Sequence, residues 1–528
     1  MPSSANVLAA KEFDPRQGCQ IQSTGLLGGL FLLLLGAAFA FFEMDVLENG
    51  GPKIAAIFTW FPAWFPDTLH FKNVNRNYYN IPFLVLLCFS FMVNWEFLRR
   101  PVSRLATAAV AIAAVWASWQ VALGANWFFA GDTTMRFGWA WTRIEVVYAS
   151  ALLGFAMIAL LSLLRPQKRR VVSPFVWALR SAFFRWAAGL LVFTVLLFVV
   201  FQHPFYQNNY YENWRITCGY LYSLYCVLGL PYAFVTNIFR GHKFENRSDP
   251  NFVILLLLRR GWRRALAVAS RRHATCCHWR LRNRRIGVVV RDLLVKVFFI
   301  PLMVTFLYIE FGGFADNFIA LWDAIVDGAH WYAGFNSFYG SYFHGLFIMD
   351  VGLGLIGYAS SSRWLDNKSR SVDPTLLGWF VALACYPPFN DVTAGYFPYN
   401  GMAGGEPYAL FQPIWVDVLL KSVTLACFTL YVWATTAFGL RFSNLTNRGV
   451  ITRGPYAIIR HPAYVAKNIA WWSEFVRDFH SPWQFGFMAV WNVIYYLRAI
   501  TEERHLRNDP DYLAYCTVVK YRFIPGWR

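Results

Sequence analysis

In "GVITRGPYAIIRHPAYVAKN", Gly449 to Asn468, the side chains able to handle charge are Arg453, Arg460, His461 and Lys467, set among two prolines. Pro455 and Pro462 each fix a backbone torsion and remove an N–H donor, which suits an irregular loop rather than a helix. A second charged stretch, "RAITEERHLRNDPDYLAYCTVVKYRFIPGWR", runs from Arg498 to Arg528 and carries adjacent carboxylates at Glu502 and Glu503. Between the two lie the apolar segments 463–477 and 483–500, joined at "HSPW", where Pro482 suits the first position of the second helix. A helical hairpin returns the chain to the side it left. Arg453, Arg460 and His461 are therefore expected to approach Glu502 and Glu503 at one membrane face. Cations on one wall and carboxylates on another suit a zwitterion, whose carboxylate meets Arg or His and whose ammonium meets Glu. The residues by themselves define a polar, zwitterion-binding pocket; S-adenosylmethionine is one ligand with such an amino-acid end.

Each of these residues also has a plain structural role open to it. His461 can cap the helix that follows. Arg453 and Arg460 can be topogenic or can bind lipid phosphate. Arg498 stands four residues before Glu502, the spacing of an ordinary surface pair on a helix. Trp471 and Trp472 suit packing or a lipid-facing position, and Tyr512 and Tyr515 suit interface anchors.

The elements that must position these groups are membrane helices. Of 528 residues, 57% are hydrophobic and only 15% charged, against about a quarter charged in soluble proteins. Apolar runs of bilayer-crossing length recur along the chain. The expected fold is all-α: a polytopic integral membrane protein of about twelve transmembrane helices, ending in a helical hairpin. The segments fall near 21–42, 80–98, 105–130, 144–164, 184–202, 216–238, 292–310, 336–358, 374–392, 412–440, 463–477 and 483–500. The opening "MPSSANVLAAKEFDPRQG" lacks the pattern of a signal peptide, so the first run is expected to be a true span. Basic clusters follow even-numbered segments, which places both termini and the Gly449–Asn468 stretch in the cytoplasm.

The net charge of +19 is thereby explained by cytoplasmic loops rather than by nucleic acid, and no nucleic-acid partner is expected. The nine cysteines read as free thiols, and "HATCCH", His273 to His278, lacks a second half at zinc-site spacing, so no metal is expected. Residues 259–291 hold many arginines and no acid. They either attract anionic lipid headgroups or form an ordinary topogenic loop, and they are the candidate boundary between an N-terminal module, 1–291, and a C-terminal one, 292–528.

"GPYAIIRHPAYVAKN" resembles the G-P-Y-x-x-x-R-H-P-x-Y signature of the isoprenylcysteine carboxyl methyltransferase and phospholipid methyltransferase superfamily. "EERHL", then "DYLAY", then a terminal "IPG" resembles its second signature, in the same order and separated by a helical hairpin. The resemblance covers roughly 336–528. Family members usually have a longer linker before the first tyrosine, often with Phe-Gly where Asp509-Pro510 stand here, which bears on the placement of Tyr512 and Tyr515. The resemblance implies S-adenosylmethionine as cofactor. It implies that Arg460, His461, Pro462 and Tyr464 lie over it, that Gly454, Pro455 and Tyr456 shape the turn that admits it, and that Glu502 and Glu503 hold its polar end or order the arginines. Arg460, Glu502 and Glu503 are the candidate catalytic residues. Cofactor is expected from the cytoplasm and a lipid-like or lipidated acceptor from the bilayer.

A carboxylate acceptor needs no base; an amine acceptor needs one, and Glu502 or Glu503 could serve. Arg453, Tyr512, Tyr515 and, among polar residues in apolar surroundings (Glu145, Glu310, Asp350, Asp417, Glu474), Asp350 are candidate substrate residues. Two other readings stand beside this one. The tail also resembles the end of NADPH-dependent sterol reductases, although these generally lack the G-P-Y before R-H. Twelve spans also suit a transporter or a non-enzymatic lipid-binding protein, but no internal repeat is visible.

Overall fold

The structure is a computed structural model. It describes residues 25–37 and 40, positions 85, 88 and 92, 134–136 and 139–141, 174–207, parts of 209–238, position 258, and then 284–361, 367–399 and 407–526. The expected segments 105–130 and 144–164, Glu145, the arginine-rich stretch through 283 and His273–His278 lie outside the described residues.

The described residues are predominantly helical. The short apolar helix α1 covers Gly25–Ala37, and α2 covers Phe175–Gln202. A small antiparallel ribbon pairs β1, Thr134–Arg136, with β2, Trp139–Trp141. Then follow α3 (Arg284–Val326), α4 (Trp331–Ala359), α5 (Leu376–Leu383), α6 (Phe389–Tyr396), α7 (Ile414–Phe438), α8 (Pro462–Phe475), α9 (Pro482–Leu506) and α10 (Pro510–Val518). Among the described residues four helices are long and apolar enough to cross a membrane: Phe175–Phe198, Gly287–Val326, Trp331–Ala359 and Ile414–Arg441. The protein is an integral membrane protein.

Two expected spans have a different form. Segment 374–392 is not one helix: α5 ends before Pro387-Pro388 and α6 begins after them. Tandem prolines supply no N–H to continue the helical ladder. Segment 463–477 is the 14-residue α8, about 21 Å long and so shorter than the roughly 30 Å hydrocarbon core of a bilayer.

The chain forms two compact units. One comprises Met1–Leu30, Ser360–Lys368 and Asp373–Arg528; the other comprises Phe31–Ala359 and Ser369–Val372. In the second, α3 and α4 pack along each other around Phe299, Leu302, Leu307, Phe311 and Ile348, with Phe299 and Tyr358 stacked at 5.4 Å. Two acidic groups lie within this pair of helices: Glu310 Oε2 is 2.7 Å from His344 Nδ1, and Asp350 is buried.

In the first unit, α7 packs along α8, and α9 packs on α5 and α8. At the start of α7, Asp417 meets Lys421 at 2.7 Å and Arg477 at 2.9 Å, and Arg477 meets Glu474 at 2.7 Å. That balanced network accounts for Asp417 and Glu474. The helix starts are chemically marked. Thr375 caps α5, accepting from Gly378 N–H at 3.3 Å, and is itself held by Asp373 at 2.7 Å. Ser481 and Gln484 form a capping box at α9, with Pro482 in the first turn. These caps fix where the hairpin begins, and so where α9 delivers Glu502 and Glu503.

Candidate active site

The segment from Asn444 to His461 is irregular and tied down at several points. Asn447 Oδ1 accepts from Gly449 N–H at 2.8 Å, and its Nδ2 donates to Asp509 Oδ2 at 2.7 Å. Asp509 in turn caps α10, accepting from Asp511 N–H at 3.0 Å. Gly454 has φ +62°, a left-handed conformation costly to a residue with a Cβ. It opens a single 3-10 turn, Gly454–Ala457, in which Pro455 and Tyr456 are buried. Tyr515 Oη donates to the Tyr456 carbonyl at 2.7 Å. Tyr512 and Tyr515 are buried together with Val519 against Val450 and Leu506, not set as interface anchors. The short "RNDP" linker therefore still brings both tyrosines beneath the turn.

The next residues are held by main-chain bonds. Arg460 N–H donates to the Tyr521 carbonyl and His461 N–H to the Arg522 carbonyl, both at 3.0 Å. This pairing brings the last turn of the tail beside the start of α8. His461 occupies the position before α8, but its side chain makes no capping bond. It reaches Glu503 instead, with Nε2 3.2 Å from Oε1. An ionised carboxylate only accepts, so Nε2 carries the proton of that contact.

Glu503, 2% exposed, is the hub. Oε1 also meets Arg460 Nη1 at 3.1 Å and accepts from Arg522 Nε at 3.1 Å. Oε2 accepts from Arg522 Nη2 at 2.9 Å and faces Arg507 Nη2 at 3.8 Å. Burial alone would push this carboxyl upward. The bonds from His461 and Arg522, with the charges of His461 and Arg460, outweigh it and hold the group down at about 2. Arg460 is shifted upward: burial opposes its charge, but Glu503 beside it prevails. Burial, followed by the Glu503 charge, pushes the Tyr512 phenol far up.

Glu502 faces another way, accepting from Tyr464 Oη at 2.6 Å. Tyr464 stacks on the His461 ring, with centroids 5.4 Å apart and planes 6° apart. The Phe523 ring also lies against His461, tilted by 33° with centroids 5.6 Å apart. Arg498 is not the surface partner of Glu502. It is buried, donates to Asn444 Oδ1, and lies over the rings of Tyr464 at 5.2 Å and Tyr386 at 5.7 Å. Among the described residues it meets no carboxylate within ion-pair distance.

The structure thus brings Gly454, Pro455, Tyr456, Arg460, His461, Pro462, Tyr464, Glu502, Glu503, Tyr512 and Tyr515 into one region of the first unit. Arg453, just before the turn, makes no ion pair among the described residues, and Lys467 lies over the Tyr431 ring at 5.0 Å. Asp350 belongs to the second unit, on α4. Trp471 packs on Phe428 and Phe475, and Trp472 on Phe479 and Phe485. Arg507 and Arg522 join the hub without having been singled out from sequence. Their only signal was position within a charged tail, because the pairing of Arg460 and His461 with Tyr521 and Arg522 spans about sixty residues of chain.

Residues 418–509 match the family model of phospholipid methyltransferase. This segment, from α7 to the end of the glutamate helix, falls within the isoprenylcysteine carboxyl methyltransferase and phospholipid methyltransferase superfamily. No curated protein and no solved structure matches the chain.

Proposed function

We propose that the protein is an S-adenosylmethionine-dependent methyltransferase acting on a lipid-like or membrane-associated acceptor, with cofactor entering from the cytoplasm and acceptor from the bilayer. The observation that carries this reading is the Glu503 hub: one carboxylate orders three guanidiniums and an imidazole beside the R-H-P loop. The residues fit the proposed cofactor. One negative charge against Arg460, Arg507 and Arg522 leaves a positive surplus. Two buried donors, Arg460 Nε and Tyr512 Oη, have no hydrogen-bond partner among the described residues. Buried donors of this kind are costly unless a ligand takes them, and a carboxylate such as that of the cofactor's amino-acid end supplies the missing acceptor.

When bound, S-adenosylmethionine supplies a methyl group on a sulfonium, transferred by direct displacement. The chain's own contribution is placement. Glu503 acts as a positioning residue: held at about 2, it is a poor proton acceptor but a firm anchor for the arginines. Arg460, Arg522 and Tyr512 hold the carboxylate. His461, stacked on Tyr464 and packed against Phe523, forms part of an aromatic wall that excludes water. Glu502 is the carboxylate left to accept a proton when the acceptor is an amine. Arg498, buried and with no carboxylate at ion-pair distance among the described residues, meets an anionic group of the acceptor, a carboxylate or a phosphate. Orientation and exclusion of water together contribute most of the rate in such a displacement.

The direct test incubates purified protein with methyl-labelled cofactor and a total membrane lipid extract. Label recovered in a lipid, and lost in Arg460→Ala, supports the reading. Absence of label in every lipid and lipidated fraction contradicts it.

A further inference from the structure

The helix α10 is apolar on two sides. Tyr512 and Tyr515 are buried with Val519 against Val450 and Leu506. The opposite arc, set by helical spacing, carries Leu513, Ala514, Thr517 and Val518. Leu513 is 50% exposed and Val518 80%. Ile458, directly after the turn opened by Gly454, is 63% exposed. A helix that is apolar all round is normally covered all round, yet no described residue covers this arc.

The height of α10 against a bilayer follows from α7, which lies within Ile414–Arg441, a helix long and apolar enough to cross a membrane. Near its end, Ala434, Ala437 and Phe438 pack with Ile451 and Tyr456, and the Phe438 and Tyr456 rings meet edge-on at 4.9 Å. Tyr515 Oη donates to the carbonyl of the same Tyr456 at 2.7 Å. A single residue thus links α10 to the end of α7, the level at which a crossing helix leaves the hydrocarbon and meets headgroups. Charge fits that level too. Between Arg498 and Gly526 the exposed charged residues are Arg504, Arg507 and Lys520, against one acid, Asp511, in the first turn of α10. Cations beside an exposed apolar arc suit anionic headgroups above an acyl boundary.

We infer that the exposed arc of α10 is an interfacial anchor, seated with Ile458 in the anionic leaflet at the end of α7. Leu513 and Val518 enter the acyl boundary, and Lys520 meets a lipid phosphate. The inner side of the same helix holds the Gly454–Ala457 turn through Tyr515, so the leaflet bears on the loop that carries Arg460 and His461. The contact needs no cofactor and is independent of the reaction proposed above. It is tested in the full-length protein, reconstituted in bilayers of phosphatidylcholine and phosphatidylglycerol in equal parts. A photocrosslinking benzophenone side chain is placed at Val518 in one preparation and at Leu513 in another, both exposed positions. After illumination the adducts are identified by mass spectrometry.

Lipid adducts are expected at both positions. At Val518 phosphatidylglycerol should be enriched over phosphatidylcholine by about fivefold, the effect of one charge at a leaflet, and Lys520→Gln should remove most of that enrichment. Adducts to another segment of the chain, to a second copy or to no lipid at all overturn the inference. So do lipid adducts without enrichment, or an enrichment unchanged in Lys520→Gln.

Discussion

At the scale of single residues, Glu503 does most to determine the geometry of the R-H-P loop. Removing its charge leaves Arg460, Arg507 and Arg522 facing one another, and breaking a buried ion cluster on one side typically costs about 3–5 kcal/mol. Glu503→Gln is therefore expected to lower the thermal midpoint in detergent by several degrees and to weaken cofactor binding. The carboxyl is held below its ordinary value of 4.5, at about 2, so its ionised form favours the folded state. That contribution is complete above about pH 4.5 and is lost as pH falls towards 2. Midpoints of wild type and Glu503→Gln should differ most near neutrality and converge on acidification; a constant difference would argue against an ionic role.

Arg498 supplies a separate expectation. Arg498→Gln should raise the acceptor KM about tenfold, the loss of one charge-assisted bond, while cofactor affinity measured by calorimetry stays near wild type. The meeting of Arg460 and His461 with Glu503 was legible in the sequence, because a hairpin joining two charged stretches has one geometric outcome. Arg498 was not. Its spacing to Glu502 matches a surface pair, and only the cage of Tyr386, Tyr464 and Asn444 from three other segments shows it to be buried.

At the scale of elements, the loop before α8 depends on one side-chain clamp. Asn447 holds Gly449 on one side and Asp509 on the other, linking the turn that carries Gly454 to the helix that carries Tyr512 and Tyr515. Asn447→Ala should destabilise the unit by about 1–2 kcal/mol and accelerate proteolytic cleavage between Asn444 and His461, with α7 left intact. Limited proteolysis with mass mapping reads this directly. Periodicity and hydropathy identified α3, α4, α7 and α9, whose apolar faces are continuous. They also joined α5 and α6 into one span, because a hydropathy window averages over Pro387-Pro388 while the backbone ladder cannot. The clamp itself was illegible: Asn447 and Asp509 are polar loop residues, and nothing in their local pattern pairs them across sixty-two positions.

At the scale of the whole molecule, the described residues contain four helices long and apolar enough to cross a membrane, and the family match lies towards one end of the chain, residues 418–509. The basic clusters that follow alternate apolar segments favour a cytoplasmic C-terminus. An impermeant thiol reagent applied to sealed vesicles with the cytoplasmic face outward should then label a cysteine appended after Arg528, and should fail to do so in vesicles of opposite orientation until they are opened. The excess of arginine in 259–291 carries the parallel expectation of tighter association with anionic than with neutral bilayers.

The central claim is that the R-H-P loop and the double glutamate together hold a sulfonium nucleotide. Calorimetric titration of the purified full-length protein with S-adenosylmethionine, S-adenosylhomocysteine and NADPH tests it most directly. Saturable binding of the first two, weakened at least tenfold in both His461→Ala and Glu503→Gln and absent for NADPH, is the predicted result. Binding of NADPH alone, or binding of S-adenosylmethionine unaltered in both variants, would contradict it.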